Sequence, residues 1–178
     1  MKKLNRIDYM IVMELVKNAK ISDRVLAKKI GVSQPTVTRR RTAMEKSGLL
    51  KYTALLDYPK FGFELMALNF FQFKSRLAES LGDKRPFEKR VQEFIASHPH
   101  LIFVASGRGL GMTRMGITIH RNYADYEAFA NAVDNEWGMY LARFESFIIS
   151  LRSKGLLRFF DFTHLTKHMM EVHAEQMA

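Results

Sequence analysis

The chain contains no cysteine among its 178 residues, which excludes disulfides and thiolate metal sites. It also has no uninterrupted apolar run near the roughly 18 residues that a membrane-spanning helix needs. The basic amino-terminal stretch does not read as a secretory signal, because Asp8 and Glu14 interrupt its apolar residues. We therefore expect a cytoplasmic protein that has no membrane partner.

Acidic residues are scarce in the first third of the chain. Residues 1–60 hold 14 Lys and Arg against 5 Asp and Glu, a net charge of +9, whereas residues 61–178 hold 14 against 13, a net charge of +1. Clustered positive charge attracts a polyanion and releases its counterions. The alternative is a generally basic surface, but solubility alone gives no reason to segregate charge in this way. The distribution favours a nucleic-acid partner.

Three short helices are predicted within the same region. Apolar residues recur every three or four positions over residues 4–18, as on one face of a helix. Ser22 is a good N-cap for a second helix, which Gly31 ends sharply because glycine tolerates a positive φ. A third helix is predicted over residues 33–47. Two short helices that meet at a glycine are typical of a helix-turn-helix, whose second helix enters the DNA major groove.

The third helix carries the side chains best suited to reading DNA. Glutamine and arginine can make paired hydrogen bonds to base edges, and hydroxyls can bind bases or phosphates. Three successive arginines span most of a helical turn, so we expect one or two of them to bind phosphate or other protein groups. A solvated charged face is the alternative. The candidate DNA-binding residues are Ser33, Gln34, Thr36, Thr38, Arg39, Arg40, Thr42 and, near the amino terminus, Lys3.

An extended segment is predicted after the third helix. Gly48 ends that helix, and the residues that follow, 49–56, favour extended chain. A short strand in this place is the start of a wing. Pro59 and Gly62 then interrupt a link over residues 57–64. We therefore predict a winged helix-turn-helix domain over residues 1–60.

The elements predicted after residue 64 run strand, helix, strand, strand, helix, strand. That order is the ferredoxin-like pattern, in which one antiparallel sheet carries two helices on one face. We expect this domain to span residues 65–162 and to include a fifth strand over residues 156–162. A carboxy-terminal helical extension is predicted over residues 163–178. The fold class is therefore α+β.

The strands of this second domain are rich in phenylalanine, and helices cover only one side of such a sheet. At about 25 cal/mol per Å² of apolar surface, burial of a few hundred Å² per subunit would give several kcal/mol of gross driving force for association. We therefore predict a homodimer, or a higher homo-oligomer, formed through this domain.

The amino-terminal motifs resemble one known family. From residue 4 to residue 56, without gaps, the chain is similar to the DNA-binding domain of the Lrp/AsnC (feast/famine) transcriptional regulators. The later element order resembles the effector-sensing and oligomerising RAM domain of that family. Arg41 departs from the pattern, because the family usually has an aliphatic residue there. The residues that carry the resemblance are Leu4, Ile7, Asp8, Ile11, Leu15, Ile21, Ser22, Leu26, Gly31, Ser33, Arg39, Arg40, Met44, Glu45, Gly48, Leu49, Leu50, Tyr52, Thr53 and Ala54.

The resemblance implies a regulator that binds double-stranded DNA, has no cofactor and is not an enzyme. It also implies a small-molecule effector site at a glycine-containing turn between the second and third strands. The candidate residues there are Ser106, Gly107, Arg108 and Gly109. No acidic residue follows them to pair with an α-amino group, so backbone N–H groups and Arg108 would suit an anion instead. A plain hairpin connection is the alternative.

Two other functions remain open from the sequence. Tetrapyrrole (sirohaem) decarboxylases share this two-domain layout, and His98, His100, His120 and Arg114 could serve an acidic macrocycle. The chain shows no nucleophile, acid pair or cofactor motif for such chemistry. The other alternative is a ligand-sensing or oligomerising module whose DNA binding is secondary. The spacing of His164 and His168 would suit a metal pair, but no third ligand accompanies them, and we predict no metal.

Overall fold

Residues 4–74, 85–169 and 171 are described in the computed structural model, and the chain divides into two units. The amino-terminal unit combines the residues up to Leu55 with the segment from Arg158 onwards, and the carboxy-terminal unit runs from Leu56 to Leu157. Within the described ranges, no helix is long and apolar enough to cross a bilayer.

The amino-terminal unit contains the three predicted helices. They begin and end at capping residues: Asn5 and Asp8 form a reciprocal capping box, Ser22 accepts the Val25 N–H, and Gly31 ends the second helix at φ 73°. The helices are α1 (Arg6–Lys17), α2 (Asp23–Ile30) and α3 (Gln34–Lys46). Their shared core is aliphatic and consists of Ile11, Leu15, Ile21, Leu26, Ala27, Val37 and Met44.

The short strand expected after α3 is not formed. Residues 50–57 form no regular secondary structure, and among the described residues they pair with no neighbouring strand. A strand requires the hydrogen bonds of a partner, so this segment is an irregular connection. A 3₁₀ turn, Tyr58–Phe61, and Gly62 at φ 84° then lead into the second unit.

The carboxy-terminal unit has the predicted βαββαβ order. Its described strands form one antiparallel sheet of four, in the order β2-β3-β1-β4. The elements are β1 (Leu65–Phe73), α4 (Arg85–Ser97), β2 (Leu101–Gly109), β3 (Met112–His120), α5 (Tyr123–Trp137) and β4 (Leu141–Ser150).

Aromatic side chains fill the layer between the helices and the sheet. The register pairs Phe71 of β1 with Arg114 of β3 and with Phe144 of β4, so these three residues lie on the same face. Phe129 and Trp137 of α5 are buried in this layer, at 2% and 4% exposure. The aromatic core of this unit therefore lies on the helix-covered side of the sheet.

The predicted fifth strand is wrong. After β4 the chain turns over residues 151–155, and residues 156–162 form no strand. Leu157 is 94% exposed, and the residues from Arg158 onwards join the amino-terminal unit, so they cannot return along the edge of β4. Of the predicted helical extension, residues 165–169 and 171 are helical, and residues 170 and 172–178 lie outside the described residues.

The glycine-rich turn is shorter than predicted. The strand β2 continues to Gly109, and the turn consists of Leu110 and Gly111 alone, at φ 53° and 75°. Two successive residues at positive φ are typical of a two-residue hairpin turn whose twist matches that of its strands. The residues expected in the glycine-containing turn, Ser106–Gly109, belong to β2 instead, because pairing with β3 resumes at Gly109 after a register shift.

Candidate nucleic-acid interface

The helix α3 presents one face to the core and the other to solvent. Val37 and Met44 are buried, at 0% and 4% exposure. The opposite side is polar because intervening residues of a 3.6-residue turn point away from the core. Five of the predicted DNA-binding residues are exposed there: Ser33, Gln34, Thr38, Arg39 and Thr42.

The three successive arginines of α3 point in different directions, since neighbouring helical residues are about 100° apart. Arg39 is exposed and makes no hydrogen bond or ion pair with the rest of the described chain. Arg40 turns towards α1, where its Nη1 donates to Asp8 Oδ1 at 2.9 Å. Arg40 is thus held by a carboxylate that also caps α1.

Arg41 joins three segments of the unit. Its Nη1 donates to Asp23 Oδ1 and to the Ile21 carbonyl oxygen, both at 3.1 Å. Its Nε donates to Glu45 Oε1 at 3.1 Å and to the Tyr52 hydroxyl at 2.9 Å. Burial alone would lower the pKa of Arg41, but its hydrogen bonds to Glu45, Tyr52 and Asp23 raise the pKa above its ordinary value. Arg41 is therefore a structural residue in place of an aliphatic one.

Several predicted hydroxyl groups already have partners. Thr38 Oγ1 donates to Asp23 Oδ2 at 2.7 Å, and the Ser33 and Thr36 hydroxyls lie 2.9 Å apart. These groups must exchange or share a hydrogen bond to meet DNA. Gln34, Arg39 and Thr42 have no such commitment within the described part of the chain. Lys3 lies outside the described residues.

The structure adds cations that the predicted set omitted. Arg24 and Lys28 are exposed on α2, and Lys46 is exposed at the end of α3. None of the three forms an ion pair with another described residue. Arg24 and Lys28 are four residues apart on α2, a spacing that places both side chains on the same face of the helix. This spacing could have identified them from the sequence.

The four predicted effector residues lie along β2, at the edge of the sheet. Ser106 pairs with Arg114 and Gly109 with Met112, and the register shifts between these two pairs. All four residues are exposed or part-exposed. The structure brings them together as a strand segment instead of a loop.

The three histidines weighed for an enzymatic site do cluster. The ring centroids of His98 and His100 are 5.5 Å apart, and those of His100 and His120 are 5.1 Å apart. His120 is fully buried, and burial together with the charge of His100 lowers its pKa to about 4. Arg114 instead lines an apolar cavity to which none of the described histidines contributes. The cluster is packed against Phe129, as part of the core.

Comparison with known proteins agrees with both units. Residues 4–51 match the winged helix-turn-helix DNA-binding family. The chain is 43% identical over 61 residues to the HTH-type transcriptional regulator LrpC of Bacillus subtilis, a match that covers 34% of this chain and 42% of LrpC. The solved structure of LrpC superimposes with a TM-score of 0.65 at 25% identity, covering 88% of this chain and 99% of that one.

Two further solved structures share the fold. An AsnC family transcriptional regulator from Agrobacterium tumefaciens has a TM-score of 0.70 at 20% identity and covers 88% of this chain and 94% of its own. A Neisseria meningitidis transcriptional regulator, solved as its L-Met complex, has a TM-score of 0.68 at 16% identity and covers 92% and 99%.

The amino-terminal unit is thus similar in sequence to the helix-turn-helix domains of Lrp-type regulators, and the two-unit fold is the one that the solved Lrp/AsnC regulators have. In sequence, the chain spans less than half the length of the curated relatives that it matches. The carboxy-terminal unit is similar to the solved structures in fold.

Proposed function

We propose that this chain is a sequence-specific DNA-binding transcriptional regulator. The observation that carries the proposal is the outward face of α3, where Gln34, Arg39 and Thr42 are exposed and uncommitted in the described structure. Glutamine and arginine can each make two hydrogen bonds to one base edge. The net charge of +9 over residues 1–60 supplies the attraction to phosphate.

Arg24, Lys28 and Lys46 are proposed as phosphate contacts that flank α3. They are exposed cations on α2 and at the end of α3. Phosphate contacts fix the position of a protein on the duplex without reading its sequence. Arg40 and Thr38 contribute indirectly in this scheme, since Asp8 and Asp23 hold them.

We further propose that the regulator works as a homodimer through the open face of its sheet. Large apolar residues are exposed on that face, among them Phe103 at 47% and Phe147 at 64% exposure. Leu68 and Ile117, which are paired in the register, are part-buried on the same face. A second copy would cover these residues and would present two α3 helices to two half-sites.

The effector proposal rests on the residues Ser106, Gly107, Arg108 and Gly109. They form an edge segment with a register shift that frees backbone groups from pairing. The L-Met complex of the Neisseria meningitidis regulator supports a small-molecule role for this fold. Arg108 and the absence of a neighbouring acidic residue in the sequence favour an anionic effector.

The test is selection of DNA from a random pool, followed by gel shifts of the selected site at several salt concentrations. We expect a site with two half-sites about one helical turn apart, or a multiple of one. Arg39→Ala is expected to weaken the specific complex by about 1–3 kcal/mol and to relax preference at one base position. Arg121→Ala, which removes an equal charge from an exposed position of the other unit, is the matched control.

Two results would contradict the proposal. Equal affinity for the selected site and for random DNA would remove the claim of specificity. An equal loss in the Arg39→Ala and Arg121→Ala variants would show that Arg39 does not read the bases.

A further inference from the structure

A cavity lies between α4 and the sheet of the carboxy-terminal unit. The space inside it that the centre of a water molecule can occupy is about 40 Å³, room for roughly three waters if one needs about 10–15 Å³. Apolar walls of this kind favour apolar guests. Its apolar walls include Phe71, Phe73, Val91, Phe94, Val104 and Trp137.

One charged residue, Arg114, lines this apolar cavity. Its Cζ lies 5.4 Å from the ring centroid of Phe73, which is another lining residue. Among the described residues no carboxylate lies within ion-pair distance of it. Burial lowers the pKa of Arg114, and the distant charge of Glu88 opposes that effect only in part. A partly desolvated cation without a counterion is unfavourable, so Arg114 would gain from an anion at this position.

We propose that this cavity binds a short aliphatic monocarboxylate. The carboxylate would pair with the guanidinium of Arg114, whose planar donors match the two oxygens of a carboxylate. The hydrocarbon tail would enter the cavity, whose volume limits it to about three or four carbons. An α-ammonium group is disfavoured, because no acidic side chain of the described residues lines the cavity to receive it.

This site differs from the effector segment at Ser106–Gly109. Arg114 is the neighbour of Ser106 in the sheet register, so both side chains lie on the face that also carries Phe71 and Phe144. Arg114 lines the cavity, whereas none of the residues Ser106–Gly109 does. The inference goes beyond the proposed regulator function, and its test requires no DNA. Failure of either proposal therefore leaves the other standing.

Binding of isovalerate to the full chain is the direct experiment. Trp137 is the only tryptophan in the sequence and lines the cavity, so its fluorescence reports occupancy, and calorimetry gives the affinity. Isovaleramide has the same tail without the charge, and L-valine adds an α-ammonium group to the same skeleton. We expect saturable binding of isovalerate and at least tenfold weaker binding of both analogues.

Three variants test whether Arg114 and the cavity together form the binding site. Arg114→Met keeps an apolar stem, removes the cation and is expected to weaken isovalerate binding at least tenfold. Val104→Phe keeps the cation but fills the cavity, and we expect a similar loss. Arg108→Met removes an exposed arginine from the effector segment and is expected to change the affinity less than twofold. Circular dichroism melts of each variant verify that it folds.

Three results would contradict the proposal. Isovaleramide that binds as tightly as isovalerate would show that the charge is not recognised. The absence of saturation below about 10 mM would show that no useful site exists. A loss of binding in Arg108→Met with none in Arg114→Met would move the anion to the effector segment.

Discussion

The two units accommodate their polar groups in opposite ways. The amino-terminal unit holds charged groups in ion pairs near its surface: Arg40 with Asp8, and Arg41 with Asp23, in which every side chain keeps between 12% and 23% of its exposure. The carboxy-terminal unit instead buries neutral polar groups in its core. Asn69, Thr118 and His120 all have 0% exposure.

The buried groups form one directional chain of hydrogen bonds. Ser146 Oγ donates to Asn69 Oδ1 at 2.7 Å, and Asn69 Nδ2 donates to Thr118 Oγ1 at 2.9 Å. The Thr118 hydroxyl hydrogen is then available for His120 Nε2, 2.7 Å away. This order leaves the remaining ring hydrogen on Nδ1, which lies 3.7 Å from Asp125 Oδ2. Protonation of His120 at Nε2 would therefore place a second hydrogen between that nitrogen and the Thr118 hydroxyl, which already donates to it.

This difference predicts how the stability of each unit responds to acid and to salt. Ion pairs near the surface are screened by salt and keep their charges in mild acid. A neutral buried chain of hydrogen bonds is not screened, but it fails once its histidine must be charged. We therefore expect acid to act first on the carboxy-terminal unit and salt to act first on the amino-terminal unit.

Acid has the largest expected effect. The pKa of His120 is about 4 in the folded chain against an ordinary 6.5, so the unfolded state binds more protons between these values. Stability is thus complete above about pH 6.5 and is lost as the pH falls towards 4, by up to about 3 kcal/mol at 1.4 kcal/mol per pKa unit. Denaturant titrations followed by Trp137 fluorescence measure this loss, and His100, whose pKa burial also lowers, adds in the same direction.

The variants of this experiment identify the responsible group. His120→Asn is expected to lower stability at pH 7.5 but to flatten the pH dependence, because the titrating ring is gone. His168→Gln, at an exposed position, is expected to leave the dependence unchanged. A pH dependence in His120→Asn as steep as that of the unmodified chain would assign the acid sensitivity to other groups, among them His100 and Asp125 beside His120.

Interruption of the buried chain of hydrogen bonds has the next largest effect. Thr118→Val keeps the shape of the side chain but leaves Asn69 Nδ2 and His120 Nε2 without their shared partner. We expect a loss of about 1–3 kcal/mol, the usual cost of an unsatisfied buried polar group. The same denaturant titration measures it, with Thr113→Val at an exposed position as the control. An equal effect of the two variants would contradict the importance of these buried hydrogen bonds.

Removal of the Arg41 side chain has a smaller effect. Arg41→Met is expected to destabilise the amino-terminal unit by about 1–2 kcal/mol at low salt, because several hydrogen bonds of a charged group are lost. The difference should shrink in high salt, which screens the pairs with Asp23 and Glu45. Helical circular dichroism during thermal unfolding measures it. Lys17→Met, which removes an exposed pair with Glu14, is the control and should cost less than about 0.5 kcal/mol.

A substitution in the hairpin turn has the smallest expected effect, which is a gain in stability. Leu110 is 81% exposed and has φ 53°, a conformation that side chains other than glycine adopt at a cost. Leu110→Gly is expected to stabilise the carboxy-terminal unit by up to about 1 kcal/mol, as the turn already has the required twist. The midpoint of the Trp137 denaturation curve would rise. A lowered midpoint would mean that the lost contacts of the leucine side chain, or the greater backbone entropy of glycine in the unfolded chain, outweigh the relief of strain at this φ.

Much of the fold was predictable because its signals are local. Capping residues such as Ser22, and Gly31 at the turn, follow from backbone chemistry within a few residues. The predicted fifth strand failed for the opposite reason. Residues 156–162 have a suitable sequence, but pairing depends on where the following chain goes, and the residues from Arg158 onwards belong to the other unit.

The candidate DNA-binding surface was predictable as a helix face and less so residue by residue. The sequence places three arginines in a row, and helical geometry requires that their side chains point in different directions. Which one stays free depends on acidic partners far along the chain: Asp8 lies 32 residues from Arg40, and Asp23 lies 18 residues from Arg41. Such pairs become visible only after the helices pack.

By itself, the sequence determined the helix-turn-helix, the element order of the sheet and the segregation of positive charge, because each depends on spacing between near neighbours. The tertiary structure alone decided that Arg39 stays uncommitted within the described chain, that Arg41 ties three segments together and that Arg114 borders an apolar cavity without a described counterion. The physical reason is that pairing and desolvation depend on distances through space, and these are set only when remote parts of the chain meet.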